Sequence, residues 1–193
     1  MASAVTSSPT RREQILATAA ELFASRGFHG VSVADLGAAC GISGPALYKH
    51  FVSKDAVLAE MLVSISERLL AVGRERVAAA DGDAGAALRA LVDWHVDFAL
   101  RDRALIVVQD RDWESLPVEA REQVRSLQRS YVDLWAAELR RLVPDLSLGA
   151  ARASAHAVFG LINSTPHSGR LPDEEMRRLL TAMALGALGV STG

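Results

Sequence analysis

Between Thr10 and Phe51 the chain carries three short apolar segments, each with its own start and stop signal, and this punctuation constrains the fold more than any other feature. Thr10-Arg-Arg-Glu13 is a capping box, in which the threonine hydroxyl accepts from the amide three residues on and the glutamate reaches back. Ile15, Leu16, Ala19, Leu22 and Phe23 then recur at helical spacing until Gly27, a C′ glycine. Ser32-Val-Ala-Asp35 opens a second helix with Leu36, Ala39 and Cys40, and Gly41 ends it. Ser43 caps a third, with Pro45 in the first turn, where an amide has no intrahelical partner. That helix is expected to carry Ala46, Leu47, Tyr48, Lys49, His50 and Phe51. Half of the chain is hydrophobic but only 5% is aromatic, so alanine and leucine dominate and helices are favoured over strands.

The pattern continues to the end. Ser53-Lys54-Asp55 opens a long helix whose apolar face runs through Leu58, Met61, Leu62, Ile65, Leu69 and Val72. Asp81-Gly82-Asp83 is the clearest break, and helices are expected at about 84–100, 102–111, 117–143, 147–165 and 172–190. The expectation is an all-α chain of about nine helices, divided into an N-terminal unit at 1–53 and a helical domain at 54–193. No repeat of 20–50 residues is visible. No apolar run approaches the roughly 20 residues of a membrane span. Met1 to Thr10 is small and polar, unlike a secretory signal, so a cytoplasmic location is expected. Cys40 is the lone cysteine, which leaves no intramolecular disulfide and no cysteine-rich metal site.

Two short helices joined by a glycine turn, with a longer helix before them, form a unit that suits DNA. The major groove admits one helix while its predecessor buttresses it across the backbone. Val33, Leu36, Ala39, Ile42 and Leu47 are the expected buried face, and Ala38 with Ala39 the small residues that let the helices cross. The net charge of −2 gives DNA no broad electrostatic attraction, and residues 1–55 alone carry only +1. A few placed contacts and a dimer must serve instead.

The run from Val33 through Leu36-Gly-Ala-Ala-Cys-Gly-Ile-Ser-Gly-Pro-Ala-Leu-Tyr-Lys-His-Phe51, followed by Ser53-Lys54-Asp55, resembles the DNA-binding segment of TetR-family regulators. So does the upstream Ile15 to Phe23 with Gly27-Phe28. The resemblance implies an all-helical homodimer, a ligand-responsive C-terminal domain and repression. It places Ser43, Gly44, Pro45 and Ala46 at the start of the recognition helix, facing base edges. It makes Tyr48, Lys49 and His50 contacts to phosphates or bases, and Lys54 a backbone-contacting lysine. Thr10, Arg11 and Ser32 are further candidates for phosphate contacts near helix starts. Gly44-Pro45 stands where many members carry a longer polar side chain, which leaves Ala46 and backbone groups for direct readout. Lys49 and Lys54 are the only lysines, against nineteen arginines, and both fall in this segment.

The remaining two-thirds should dimerise and regulate. Ala150, Ala151, Ala153, Ala155 and Ala157 allow close helix approach, and Leu179, Leu180, Met183, Leu185 and Leu188 give the last helix an apolar face. A homodimer through the last two helices is therefore expected; the alternative is that they close the monomer's own core. Trp94, Phe98, Ile106, Gln109 and Trp113, followed by Tyr131, Trp135, Phe159 and Asn163, are the candidates for a ligand cavity, with Asn163 a polar group able to orient a ligand. Acyl thioesters, lipids, steroids and drugs all remain open as ligands. Asp93-Trp-His95-Val-Asp97 fails as a metal site, because helix positions two apart point about 200° away from each other. Asp110, Asp112 and Glu114 read as solvated. No nucleophile motif, phosphate loop or dinucleotide fingerprint occurs, so no enzymatic activity, metal or cofactor is expected. The other reading is an all-helical small-molecule-binding or enzymatic protein whose first helices do not touch DNA.

Overall fold

A computed structural model of the protein describes residues 10–168 and 171–190. Ten α-helices follow one another with no strand among the described residues. They are α1 (Arg11–Arg26), α2 (Val33–Ala39), α3 (Gly44–Leu47), α4 (Lys54–Ala79), α5 (Ala84–Arg101), α6 (Arg103–Asp112), α7 (Val118–Leu142), α8 (Leu148–Ile162), α9 (Thr165–Ser168) and α10 (Asp173–Ala187). A 3₁₀ turn at Trp113–Ser115 joins α6 to α7.

Local chemistry sets the helix starts. Thr10 and Glu13 close a capping box on α1, as do Ser32 and Asp35 on α2. Ser43, Ser53, Asp83 and Ser147 each accept an amide from the third residue on, at the heads of α3, α4, α5 and α8. Two helix ends differ from expectation. Regular helix in α3 stops at Leu47, and the chain tightens through Lys49 N to Ala46 O (3.2 Å) and His50 N to Leu47 O (2.9 Å) before Phe51. The expected helix at 147–165 ends at Ile162, because Pro166 has no amide to continue the ladder. A separate turn, α9, follows, pinned by the Thr165 hydroxyl donating to the Ala99 carbonyl (2.7 Å).

Two apolar cores result. The first gathers Ile15, Phe23, Phe28, Leu36, Leu47 and Phe51 with Val57, Leu58, Met61 and Leu62 of α4. It reaches on to Ala104 and Val108 of α6 and Val124 of α7. The second packs α5, α7, α8 and α10 with the distal part of α4 around the fully buried Trp135. At 1.5 Å per residue, α4 is roughly 40 Å long and contributes to both. Asp112, expected in solvent, is instead 6% exposed and pairs with Arg111 at 3.1 Å. No helix among the described residues is long and apolar enough to cross a membrane.

Candidate nucleic-acid interface and ligand cavity

The reading unit is built on close backbone contact. Gly41 takes φ +66°, which turns the chain between α2 and α3 at a value L side chains rarely adopt. A Cβ on Gly37 would stand 2.9 Å from the Ile42 carbonyl oxygen and 3.1 Å from the Gly44 nitrogen. Gly37 is therefore the residue that lets α2 meet the turn, whereas Ala38 and Ala39 are exposed and take no part in the crossing. Leu36 and Leu47 are buried beneath, with Val33 and Ile42 half-buried.

Pro45, Tyr48 and Lys49 project outward from this scaffold, with Tyr48 54% exposed. Gly44, Ala46 and His50 are half-buried beside them, and Ser43 is exposed at the head of α3. These residues follow one another through α3 and the turn after it, and Leu47 alone among residues 43–50 is buried. Ser32 uses its hydroxyl within its own capping box, and Thr10 does the same at the head of α1. The hydroxyl and amide of Ser32 hold the Asp35 carboxyl below the usual carboxylate range. Arg11 is exposed but donates to the Cys40 carbonyl and, at 3.1 Å, to Gln14, tying α1 to the end of α2.

Lys54 is placed differently from the other candidates. Its ammonium donates to the carbonyls of Phe28 and Val31, each at 2.8 Å, and lies 4.2 Å over the Phe28 ring. Two of its three donors are thus committed to closing the loop between α1 and α2, so Lys49 is the one lysine with its charge in solvent. Two arginines not anticipated from sequence hold the unit in place. Arg12 pairs with Glu60 of α4, donates to the His50 carbonyl and lies 4.1 Å over Phe51. Arg111 of α6 donates to the Ala24 carbonyl at 3.0 Å and to the Phe23 carbonyl, which lie in the last turns of α1. Their signal is tertiary, since the Arg111 partners lie 87 and 88 residues away.

A cavity of about 290 Å³ lies within the C-terminal domain. Phe98, Gln109, Tyr131, Phe159 and Asn163 all line it, together with Ile106 and His95. Trp94, Trp113 and Trp135 do not; Trp135 is fully buried in the second core. Trp94 packs on the second core with its indole N–H on the Leu69 carbonyl (3.3 Å), and Trp113 packs on the first core under the Arg125 guanidinium. His95 was missed as a lining residue, although it sits one turn before Phe98 on the same apolar face. It is 3% exposed and stacks on Phe159 (4.6 Å between centroids, 24° between planes). Burial pushes its pKa down to about 4, against a smaller opposing pull from the Asn163 amide. Burial likewise pushes the Tyr131 phenol up. Asp93 and Asp97 point away to Arg76 and Arg177, with Asp97 to Arg177 at 2.5 Å.

Residues 15–61 match the family model for bacterial regulatory proteins of the tetR family, and residues 81–188 match a Tetracyclin repressor-like C-terminal domain. The chain is 32% identical over 136 residues to the HTH-type transcriptional repressor KstR2 of Rhodococcus jostii, covering 70% of this chain and 66%, just under two thirds, of that protein. It is 30% identical over 161 residues to the HTH-type transcriptional activator FasR of Mycolicibacterium smegmatis, covering 83% and 71% of the two chains. The solved structure of a TetR-family transcriptional regulator from Bordetella parapertussis superposes with a TM-score of 0.80 at 26% identity, over 92% of this chain and 95% of that one. The chain belongs to the TetR family of transcriptional regulators.

Proposed function

We propose that this protein is a ligand-responsive repressor that binds a pseudo-palindromic operator as a homodimer and is released by a hydrophobic or amphipathic small molecule. The observation that carries the reading is the double duty of α6. Ile106 and Gln109 line the cavity, and Arg111, less than a turn further on, caps the last carbonyls of α1 in the DNA-binding unit. A ligand that displaces α6, or α4 beside it through Ile65 and Ser66, moves the helix that carries the reader.

Tyr48, Lys49 and Pro45 supply the exposed contacts, with Ser43, Gly44, Ala46 and His50 around them. Thr10 and Ser32 cap their own helices, Arg11 ties α1 to the end of α2, and Lys54 ties α4 to the loop between α1 and α2, so these four hold the unit in shape beside the exposed contacts. Dimerisation is assigned to α8 and α10. Arg152, Ala153, His156, Ala157 and Gly160 are exposed along α8, and α10 presents Leu179 (44% exposed) and Met183 (49% exposed) beside Ala182 and Gly186. Small residues with protruding apolar ones suit a helix–helix interface, and a twofold dimer matches a twofold operator. Repression is proposed on the match to the repressor KstR2, at 32% identity against 30% for the activator FasR.

Footprinting on the DNA upstream of the protein's own reading frame tests this reading. The expected result is protection of two inverted half-sites whose centres lie about 10 base pairs, one helical turn, or a multiple of it apart. No protected segment, or a single half-site, would contradict the proposal.

A further inference from the structure

Five polar atoms around the cavity are shielded from solvent and make no hydrogen bond of good geometry, although Asn163 is close enough to His95, and Trp135 to Tyr131, for each to act weakly on its neighbour: Nδ1 and Nε2 of His95, Oη of Tyr131, Nε1 of Trp135 and Oδ1 of Asn163. Buried polar groups in folded proteins are almost always bonded, so a cluster of orphans beside a cavity marks the place of an absent partner. His95, Tyr131 and Asn163 all line the cavity. Their rings are fixed by stacking: Phe159 lies 4.6 Å from His95 and 5.5 Å from Tyr131, with planes 24° and 11° apart.

The donors and acceptors are complementary to one kind of group. Asn163 Oδ1 only accepts, the Tyr131 hydroxyl donates or accepts, and a neutral imidazole offers one donor and one acceptor. A single hydroxyl serves three of these atoms, donating to Asn163 Oδ1 and accepting from one His95 nitrogen and from the Tyr131 hydroxyl. Among the described residues no lysine or arginine lines the cavity, and its titratable side chains besides His95 and Tyr131 are Asp110 and His156, both exposed. Arg125, Arg129 and Arg152 line an adjoining groove on α7 and α8 that shares Gln128, Val132 and His156 with the cavity, and there Asp133 holds Arg152 at 2.6 Å; none of the three arginines lines the cavity itself. A carboxylate or phosphate at the orphaned atoms would lose its hydration with no counter-charge.

We propose that the effector carries an uncharged hydroxyl on a flat apolar ring system, with the hydroxyl seated between His95, Tyr131 and Asn163 and the ring lying against Phe98 and Phe159. This deepens the regulator reading above and rests on the cavity being its effector site.

Calorimetric titration of the full chain with 2-naphthol, naphthalene and 2-naphthoate at pH 7.5 tests the chemistry. The three share one ring system and differ only in the polar group. The expected result is 2-naphthol binding about tenfold or more tighter than either of the others. Tyr131→Phe and Asn163→Leu are each expected to reduce the preference for 2-naphthol over naphthalene to about threefold or less while leaving naphthalene affinity within about twofold. Should a variant fail to fold, the wild-type ranking decides alone. Naphthalene or 2-naphthoate binding as tightly as 2-naphthol, or none of the three binding, overturns the proposal. Operator affinity is measured in parallel with saturating 2-naphthol. The expected ranking together with weaker operator binding supports both readings. The expected ranking with unchanged operator binding supports the hydroxyl site and overturns its role as the effector site.

Discussion

Enclosed by Phe159, Tyr131 and Phe98, the His95 imidazole stays neutral down to about pH 4, whereas in the unfolded chain it takes up a proton near its ordinary 6.5. The folded pKa is the lower one, so its contribution is fully present above pH 6.5 and is lost as pH falls from there towards 4. The loss amounts to roughly 3 kcal/mol over that window. Urea unfolding at pH 7.5 and 4.5 checks this: the wild type should lose more stability than His95→Gln, and equal losses would contradict it. Lys54 carries a second prediction at this scale. Lys54→Met keeps the apolar stem but removes two charge-assisted bonds to the Phe28 and Val31 carbonyls, and should lower stability by about 1–3 kcal/mol in thermal unfolding. Lys49→Ala, with nothing to release, should leave the melting temperature unchanged. Sequence treats these two lysines alike because both stand in the same motif. What separates them is a loop 23 to 26 residues upstream, which only the folded chain brings alongside.

Among the elements, helix starts were legible and helix ends less so. A cap acts within three residues, as in Thr10–Glu13, Ser32–Asp35 and Ser43–Ala46, so its chemistry is written locally. The end of α3 at Leu47 depends on how Phe51 enters the first core. The missing amide of Pro166 was visible in the sequence, but the weight of the apolar run around it was not. The α2–α3 crossing shows the same limit. Alanines looked like the close-approach residues, yet the contact is made by Gly37, whose position relative to the turn needs three dimensions. Gly37→Ala should force the turn backbone apart and destabilise the protein by about 1–3 kcal/mol, which chemical denaturation reads directly. Ala38→Ser, on the exposed face, should leave stability within about 0.5 kcal/mol. For the cavity, six of the nine candidates line one space because aromatic and polar residues at helical spacing shared a face. Trp94, Trp113 and Trp135 fell outside it because large size alone does not reveal whether a tryptophan packs in a core or lines a space.

At the scale of the molecule, the two cores are joined by α4 and by the Arg111 contact from α6 to α1, so the reader and the cavity are mechanically continuous. The proposed dimer places two readers on one duplex. Leu179→Glu with Met183→Glu should convert dimers to monomers in sedimentation and abolish operator protection, and dimers that persist would move the interface to another face. The near-neutral charge of the N-terminal unit limits how much binding a diffuse field can supply. Placed contacts must carry it, with Lys49 first among them. The most direct test of DNA binding through this face is the salt dependence of affinity for the footprinted operator, measured by fluorescence anisotropy. Each phosphate contact contributes about 0.9 to the slope of log affinity against log salt, so Lys49→Ala should lower the slope by about 1.8 per dimer. Affinity that does not fall with salt, or a Lys49→Ala slope equal to the wild type, would contradict the account.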